Sequence, residues 1–319
     1  MAKKNNAPKN PQTISKSMTT RRLKQPKYHS FRLHKRIKLP NNKLPSSIKL
    51  FKQSIKHLIA YRRLFLGLVL IYFVLTVVLV KGLGFSSNIV ELKNQLGDIL
   101  QGNRGALTIG VSLFGLLVGS TGNTSSDLAS LYQMILLITV SLAIIWALRQ
   151  THANVKVGVR DAFYKGLYPL VPFLLVLIVI CIQFMPLVIG NWLYGTVIAN
   201  GIAVAGIEKA MWALVLFFLT LLSLYLISSS VFALYIVTLP NMRPMQALQS
   251  ARELVRYRHW SILRKVIFLP IALLLIACVI IVPLILFATP IVEWMFFGLS
   301  MLALAVVHSY MYTLYRELL

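Results

Sequence analysis

Long apolar runs constrain this chain more strongly than any other feature of its sequence. A membrane-spanning α-helix needs about 20 mostly apolar residues, and only helices and closed barrels satisfy their backbone hydrogen bonds in lipid. Six apolar runs approach or exceed this length, at residues 64–80, 131–148, 167–189, 207–239, 266–288 and 291–314. Charged residues make up 13% of the chain, against about 25% in a soluble domain. The sequence therefore predicts an all-α fold, a polytopic transmembrane helix bundle.

The fourth run is too long for one upright span. As a single helix, residues 207–239 would measure about 50 Å, well beyond the ~30 Å hydrocarbon core. We therefore expect this helix to tilt, to kink or to project beyond the bilayer.

The positive charge is concentrated at the N-terminus. Residues 1–63 hold 18 of the 33 Lys and Arg residues and none of the 8 acidic residues. Residues 1–45 are also poor in large apolar side chains, which predicts a disordered basic tail on the cytoplasmic side. The remaining residues, 46–319, form the predicted transmembrane domain.

An amphipathic stretch connects this tail to the first apolar run. Ser46 and Ser47 are residues that favour the N-cap of a helix. Apolar side chains then recur at helical spacing, at Ile48, Phe51, Ile55, Leu58 and Ile59. Because basic residues lie off this stripe, we predict an interfacial helix that bends into the first span.

A second basic amphipathic stretch, residues 238–270, precedes the fifth span. Its apolar stripe comprises Leu248, Ala251, Val255, Ile262 and Val266, interrupted only at Arg258 and His259. Anionic headgroups attract nearby Lys and Arg side chains. The candidate contacts for anionic lipid are Arg252, Arg256, Arg264 and Lys265. Two alternatives are that the basic stretches serve only topology and surface anchoring, or that the tail binds ribosomal RNA.

A Gly-rich apolar segment, residues 106–119, decides the predicted topology. As a helix it would reach about 21 Å, short of a ~30 Å hydrocarbon core. If it does not cross, the tail, both later basic loops and Arg316 face the cytoplasm, as the positive-inside rule requires. If it crosses, those two loops lie outside while the tail lies inside. The first arrangement predicts six spans, both termini in the cytoplasm, and a re-entrant or surface-lying segment.

Polar residues inside the predicted spans are the candidate intramembrane sites, because each is costly in lipid and usually faces the bundle interior. They are Gln183, Ser228, Ser229, Ser230 and His308. Each has a packing interpretation: an interhelical hydrogen bond for Gln183, a helix bend for the serines and a satisfied packing histidine for His308. The functional alternative is a substrate contact or the lining of a pathway.

Catalytic chemistry has little basis in this sequence. No P-loop, HExxH, GxSxG or paired-cysteine zinc pattern occurs, and these are the spacings that bind phosphates, metals or a serine nucleophile. The histidines and acidic residues are scattered. We therefore predict no enzyme, no cofactor and no metal site.

Residues 247–269, ALQSARELVRYRHWSILRKVIFL, carry a family resemblance. In order, the pattern comprises the pair Ala247-Leu248, the small residues Ser250 and Ala251, the triplet Leu254-Val255-Arg256, the aromatic Trp260, and the apolar residues from Val266 that enter the membrane. It resembles the cytoplasmic helix of the YciC-like and glycerophosphodiester-phosphodiesterase membrane-domain-like bacterial proteins. The resemblance implies a six-helix integral inner-membrane protein linked to envelope integrity. The sequence shows no soluble phosphodiesterase domain beside the predicted spans, so we expect no phosphodiesterase activity to carry over from the family.

Three functional hypotheses follow. The first is a non-enzymatic protein of envelope or lipid organisation, with a basic cytoplasmic face that contacts anionic membrane lipids. The second is a small transporter or channel, with segment 106–119 and Gln183 near its pathway. The third is a membrane-insertion factor whose basic tail contacts the ribosome or another protein partner.

Overall fold

The structure is a computed structural model, and it describes residues 44–80, 127–240, 242–256, 258–287 and 289–319. In these ranges the chain is helical and contains no strand. The helices are α1 Ser47–Ala60, α2 Arg62–Leu79, α3 Asp127–His152, α4 Val159–Gly166, α5 Leu170–Ala199, α6 Gly206–Ser230, α7 Ala233–Ile236, α8 Pro244–Val255, α9 His259–Phe287 and α10 Thr289–Leu318. The predicted tail, apart from Leu44 and Pro45, and segment 106–119 both lie outside the described residues.

Six helices are long and apolar enough to cross a membrane, which confirms the predicted fold class. They are Arg62–Leu79, Leu128–His152, Leu170–Ala199, Gly206–Ile236 (α6 together with the short α7), His259–Ile285 and Trp294–Leu318. Consecutive spans pack as hairpins, α5 against α6 and α9 against α10, and α10 also contacts α1, α2 and α3. Helix α10 therefore occupies a central position among the described helices.

The third span is longer than the predicted 167–189. Helix α5 begins at Leu170, after Pro169 at its N-cap, and continues to Ala199. Residues 190–199 carry no charge and no proline, so nothing in them stops the helix. It ends where Gly201 adopts a left-handed φ of 65°, the conformation that commonly terminates helices and that glycine adopts at little cost.

The fourth apolar run is not one helix. Helix α6 ends at Ser230, and a turn separates it from the short α7. The Ser228 and Ser229 hydroxyls donate to the carbonyls of Tyr225 and Leu226 at 2.8 Å, and Ser230 donates to Leu226 at 3.4 Å. Serines that bond back to their own helix tend to bend it, so the three serines mark the expected break.

The fifth span starts earlier than the predicted residue 266. Helix α8 ends at Val255 and α9 begins at His259, so the basic stretch forms two helices rather than one that enters the membrane directly. The break falls where Arg258 and His259 interrupt the apolar stripe. Ala251 and Val255 on α8 and Ile262 on α9 are all fully buried.

The helix predicted after Ser46 is confirmed. The Ser46 hydroxyl accepts a hydrogen bond from the Lys49 N–H at 3.3 Å, which caps α1. One face of α1 packs on α10, where the Ser309 hydroxyl donates to the Ser54 carbonyl at 3.2 Å. The lysines of α1 remain exposed, so the helix buries one face and presents its charge on the other.

Helix α4 approaches α3 through a glycine. A Cβ on Gly166 would lie 3.0 Å from the Ala143 Cα and 3.2 Å from the Leu142 carbonyl oxygen. Because both neighbours are backbone atoms, they cannot move aside as a flexible side chain can. The absence of a side chain at Gly166 therefore sets how closely α4 packs on α3.

Candidate functional site

Several chain segments that are distant in sequence meet at one end of the bundle. The Tyr61 hydroxyl lies 3.5 Å from Asn154 Oδ1, which joins the start of α2 to the end of α3. Arg149 Nη1 donates to the Thr238 carbonyl at 3.1 Å, which brings in the segment after α7. The C-terminal end of α10 joins through the contact of Arg316 with His152 of α3. We call this the basic end of the bundle.

Most described cations lie at the basic end. The exposed ones are Lys49, Lys52, Lys56, Arg62, Arg63, Lys156, Arg160, Lys165, Arg243, Arg252, Arg256, Arg264 and Arg316. Lys165 lies 3.9 Å from Asp161, an exposed i,i+4 pair of the kind that contributes little stability. At the opposite end, the described residues include one cation, Lys209 near the start of α6. Within the part of the chain that the structure describes, the two ends of the bundle therefore differ strongly in charge.

The four candidate lipid contacts differ in their surroundings. Arg252 lies on α8, Arg256 at its C-cap and Arg264 on the second turn of α9, and all three are exposed. Lys265 is only 8% exposed, and its ammonium donates to the Pro45 carbonyl. The Lys265 carbonyl in turn accepts from the Tyr310 hydroxyl at 3.2 Å. Lys265 therefore joins the start of α1 to α9 and α10.

Gln183 belongs to the contact between α5 and α6. Its main-chain carbonyl accepts a hydrogen bond from the Ser223 hydroxyl at 2.8 Å. Its side-chain Oε1 is buried and has no hydrogen-bond partner among the described residues. Ser228, Ser229 and Ser230 lie on α6 as well, but their hydroxyls bond to carbonyls of that helix.

His308 lies on α10, apart from the Gln183 contact. Its Nδ1 is 3.1 Å from the Tyr235 hydroxyl of α7, and its Nε2 is buried without a partner in the described structure. The two rings meet edge to face, with centroids 6.1 Å apart. The predicted intramembrane residues therefore form separate pairs and do not converge on one site.

A histidine pair at the basic end was not predicted from the sequence. The rings of His57 on α1 and His152 on α3 stack with centroids 3.9 Å apart and 3° between their planes. His57 Nε2 lies 3.0 Å from Thr151 Oγ1. Arg316 Nη1 lies 2.6 Å from His152 Nδ1, and the Tyr312 ring also stacks on His152, with centroids 5.2 Å apart.

The hydrogen bonds define the proton on one nitrogen of each ring. The Thr151 hydroxyl donates to the carbonyls of Ala147 and Leu148 at 2.9 and 3.1 Å, so it accepts from His57, which carries its proton on Nε2. Since a guanidinium can only donate, His152 Nδ1 is the acceptor and carries no proton. His152 is therefore neutral in this arrangement, whereas the contact of His57 defines only its Nε2 proton.

The surroundings of the histidine pair oppose a positive charge. Burial, and to a lesser extent the Arg316 charge, lowers the pKa of His57 below its ordinary value of 6.5. A proton on either ring would place a second cation against the Arg316 guanidinium. The surroundings therefore favour the neutral form of both rings at this close-packed junction of three helices, inside a cation-rich region.

Sequence reasoning missed this junction for a physical reason. The predicted topology places His57 and His152 on the same side of the membrane, which is the only available signal. That they stack depends on how α1 and α3 pack, and nothing local to either residue encodes it.

Within the described ranges, no group of three or more His, Cys, Asp or Glu side chains is placed to hold a metal ion.

Comparison of the chain with protein-family models, with curated proteins and with solved structures gave no match.

Proposed function

We propose that this protein organises anionic phospholipids at the cytoplasmic face of a bacterial inner membrane, through its basic end and without catalysing a reaction. The observation that carries this proposal is the charge asymmetry of the described residues. Thirteen exposed Lys and Arg residues surround one end of the bundle, and Lys209 lies at the other.

The orientation follows from the same asymmetry. Loops rich in Lys and Arg stay in the cytoplasm, so the basic end faces inwards, together with both termini. The cytoplasmic leaflet is also the one whose anionic lipids attract such cations, by about 1 kcal/mol for each residue near the surface. Topology and lipid attraction therefore favour the same placement.

Helix α1 is suited to the membrane surface. Leu50 and Ser54 are buried against the bundle, while Lys49, Lys52 and Lys56 are exposed. Arg62 begins the first span two residues after α1 ends. This arrangement supports a position of α1 at the membrane surface, with its charged face towards the headgroups, as in an interfacial amphipathic helix.

Membership of the YciC-like and phosphodiesterase membrane-domain-like family is part of this proposal. It rests on residues 247–269, which span the junction of α8 and α9 at the basic end. A family role in envelope integrity is compatible with lipid organisation at that surface.

The other two hypotheses receive less support. A transporter needs polar side chains from several spans to converge, and Gln183 and His308 form separate contacts. An insertion factor that contacts the ribosome would depend on the basic tail, which lies outside the described residues.

The proposal is tested by lipid analysis of the full chain, extracted from bacterial membranes in polymer-bounded native discs. Anionic lipids are expected to be enriched over the bulk membrane, and less so when discs are formed at high salt. The triple variant Lys49→Gln, Lys52→Gln, Lys56→Gln should lower the enrichment by more than about fivefold. Lys209→Gln, at the opposite end, is the control. The proposal would be contradicted if the discs that contain the wild-type protein had the same lipid composition as the bulk membrane.

A further inference from the structure

An apolar groove lies on the flank of the bundle, beside the junction of α1 and α2. Its volume is about 650 Å³, within the range of small-molecule sites. Helices α1 and α2 close it at the basic end, and α9 and α10 form its walls. Leu66, Leu274 and Leu302 line it and are 40% or more exposed, so the groove opens on the side of the spans, where lipid lies.

The walls of the groove suit a hydrocarbon chain. Its lining has two polar side chains, Arg62 and Ser300. The Ser300 hydroxyl donates to the Phe297 carbonyl of its own helix at 2.7 Å, so it offers its donor to that carbonyl rather than to a ligand. Apart from Arg62, the groove therefore presents an apolar surface.

The length of the groove matches one leaflet. It follows α10 from Phe296 to Val306, and the ten steps between these residues rise about 15 Å. This is half of the ~30 Å hydrocarbon core. An acyl chain that enters from the leaflet at the basic end would fill it without reaching the opposite leaflet.

Arg62 supplies the polar end. It is exposed at the first position of α2, where the groove meets α1. Neither α1 nor α2 contains an acidic residue, so the local field is positive, and a guanidinium binds phosphate with two hydrogen bonds. The positive charge of Arg62 is complementary to an anionic lipid headgroup, and the acyl chain of the same lipid would then lie in the groove.

We propose that this groove binds one anionic phospholipid, with an acyl chain between α1, α2, α9 and α10 and its phosphate on Arg62. This inference rests on the proposed function, which it deepens by assigning a defined lipid site. The three lysines of α1 invoked above do not line the groove, so the two proposals can be tested separately.

The test uses the full chain reconstituted in vesicles of equal parts phosphatidylethanolamine and phosphatidylglycerol, followed by native mass spectrometry of the lipids that it retains. The wild-type protein is expected to retain one phosphatidylglycerol. Arg62→Gln should lower the ratio of retained phosphatidylglycerol to phosphatidylethanolamine about fivefold. Arg63→Gln, an exposed neighbour that does not line the groove, is the matched control.

A second pair of variants tests the groove itself. Ala303→Trp places an indole in the groove and should remove the retained lipid of either class. Ala213→Trp, at an exposed alanine of α6 outside the groove, should leave it in place. Equal ratios for Arg62→Gln and Arg63→Gln would overturn the inference. Retention of lipid by Ala303→Trp at the wild-type level would also overturn it. If the wild-type protein is a dimer, and Ala303→Trp abolishes the dimer while its retained lipid is unchanged, the groove is instead the contact site of a second copy.

These outcomes are distinct from failure of the proposed function. If anionic enrichment depends on the lysines of α1 while Arg62→Gln has no effect, only the groove assignment fails. If the wild-type protein shows no preference for phosphatidylglycerol over phosphatidylethanolamine, the broader proposal fails with it.

Discussion

The imidazole rings of His57 and His152 stack in parallel with their centroids 3.9 Å apart. This contact joins α1, which lies outside the spans, to the end of the second span, and Arg316 adds the end of the last span. The surroundings of the junction favour the neutral form of both rings, in a region that is otherwise rich in positive charge. Its stability should therefore depend on pH.

Lowering the pH should destabilise the protein through His57. The folded-state pKa of His57 lies below its ordinary value of 6.5, so between the two values the unfolded chain binds more protons. The contribution of His57 to stability is then fully present above about pH 6.5 and is lost as the pH drops through the folded-state pKa. The groups that face His57 are His152 and Thr151 of α3, Tyr61, and Arg316 of α10.

The variant His57→Phe separates this effect from other titrations. It keeps an aromatic ring against His152 but cannot take up a proton, so its unfolding midpoint should fall less between pH 7 and pH 5 than that of the wild-type protein. Thermal unfolding in detergent at a series of pH values measures both slopes. Parallel slopes would show that His57 does not contribute.

Gly166→Ala should destabilise the contact between α4 and α3. The new Cβ would lie 3.0 Å from the Ala143 Cα, and such overpacking costs about 1–3 kcal/mol. Gly195→Ala is the matched control, because a Cβ at Gly195 in α5 meets nothing within 4 Å. Unfolding midpoints in the same detergent compare the two. The packing argument is contradicted if both alanines have the same effect.

Ser223→Ala should weaken the contact between α5 and α6. It removes the 2.8 Å hydrogen bond to the Gln183 carbonyl, and interhelical hydrogen bonds in membranes contribute about 0.6 kcal/mol on average. Thr220→Ala removes a hydroxyl that bonds within its own helix, to the Leu216 carbonyl and away from the break of α6, and serves as the control. Comparable losses of stability in both variants would show that the Ser223 bond does not stabilise the pair of helices.

The spans could be predicted because lipid imposes a simple requirement on the backbone. Each long apolar run must be helical, and the basic loops then fix the orientation that we propose. The cap of α1 was also predictable, since Ser46 acts locally on the Lys49 N–H. These features depend on composition or on neighbours in sequence.

The span boundaries and the side-chain contacts were less predictable. Helix α5 continues past residue 189 because residues 190–199 carry no charge that would mark the end of a span, and the helix ends only before Gly201. The fourth run was expected to tilt, to kink or to project beyond the bilayer, and only the structure shows that α6 ends at Ser230. The contacts of Lys265 with Pro45 and of His57 with His152 join distant elements, so they depend on packing that no local pattern encodes.

The central claim is that the basic end faces the cytoplasm, and labelling of single cysteines tests it most directly. The chain has two cysteines, so Cys181→Ala and Cys278→Ala give the background. Lys156→Cys is exposed at the basic end, and Val204→Cys is exposed at the opposite end. A membrane-impermeant maleimide added to bacterial spheroplasts should label only Val204→Cys, and in inverted vesicles only Lys156→Cys. The reverse pattern would contradict the account.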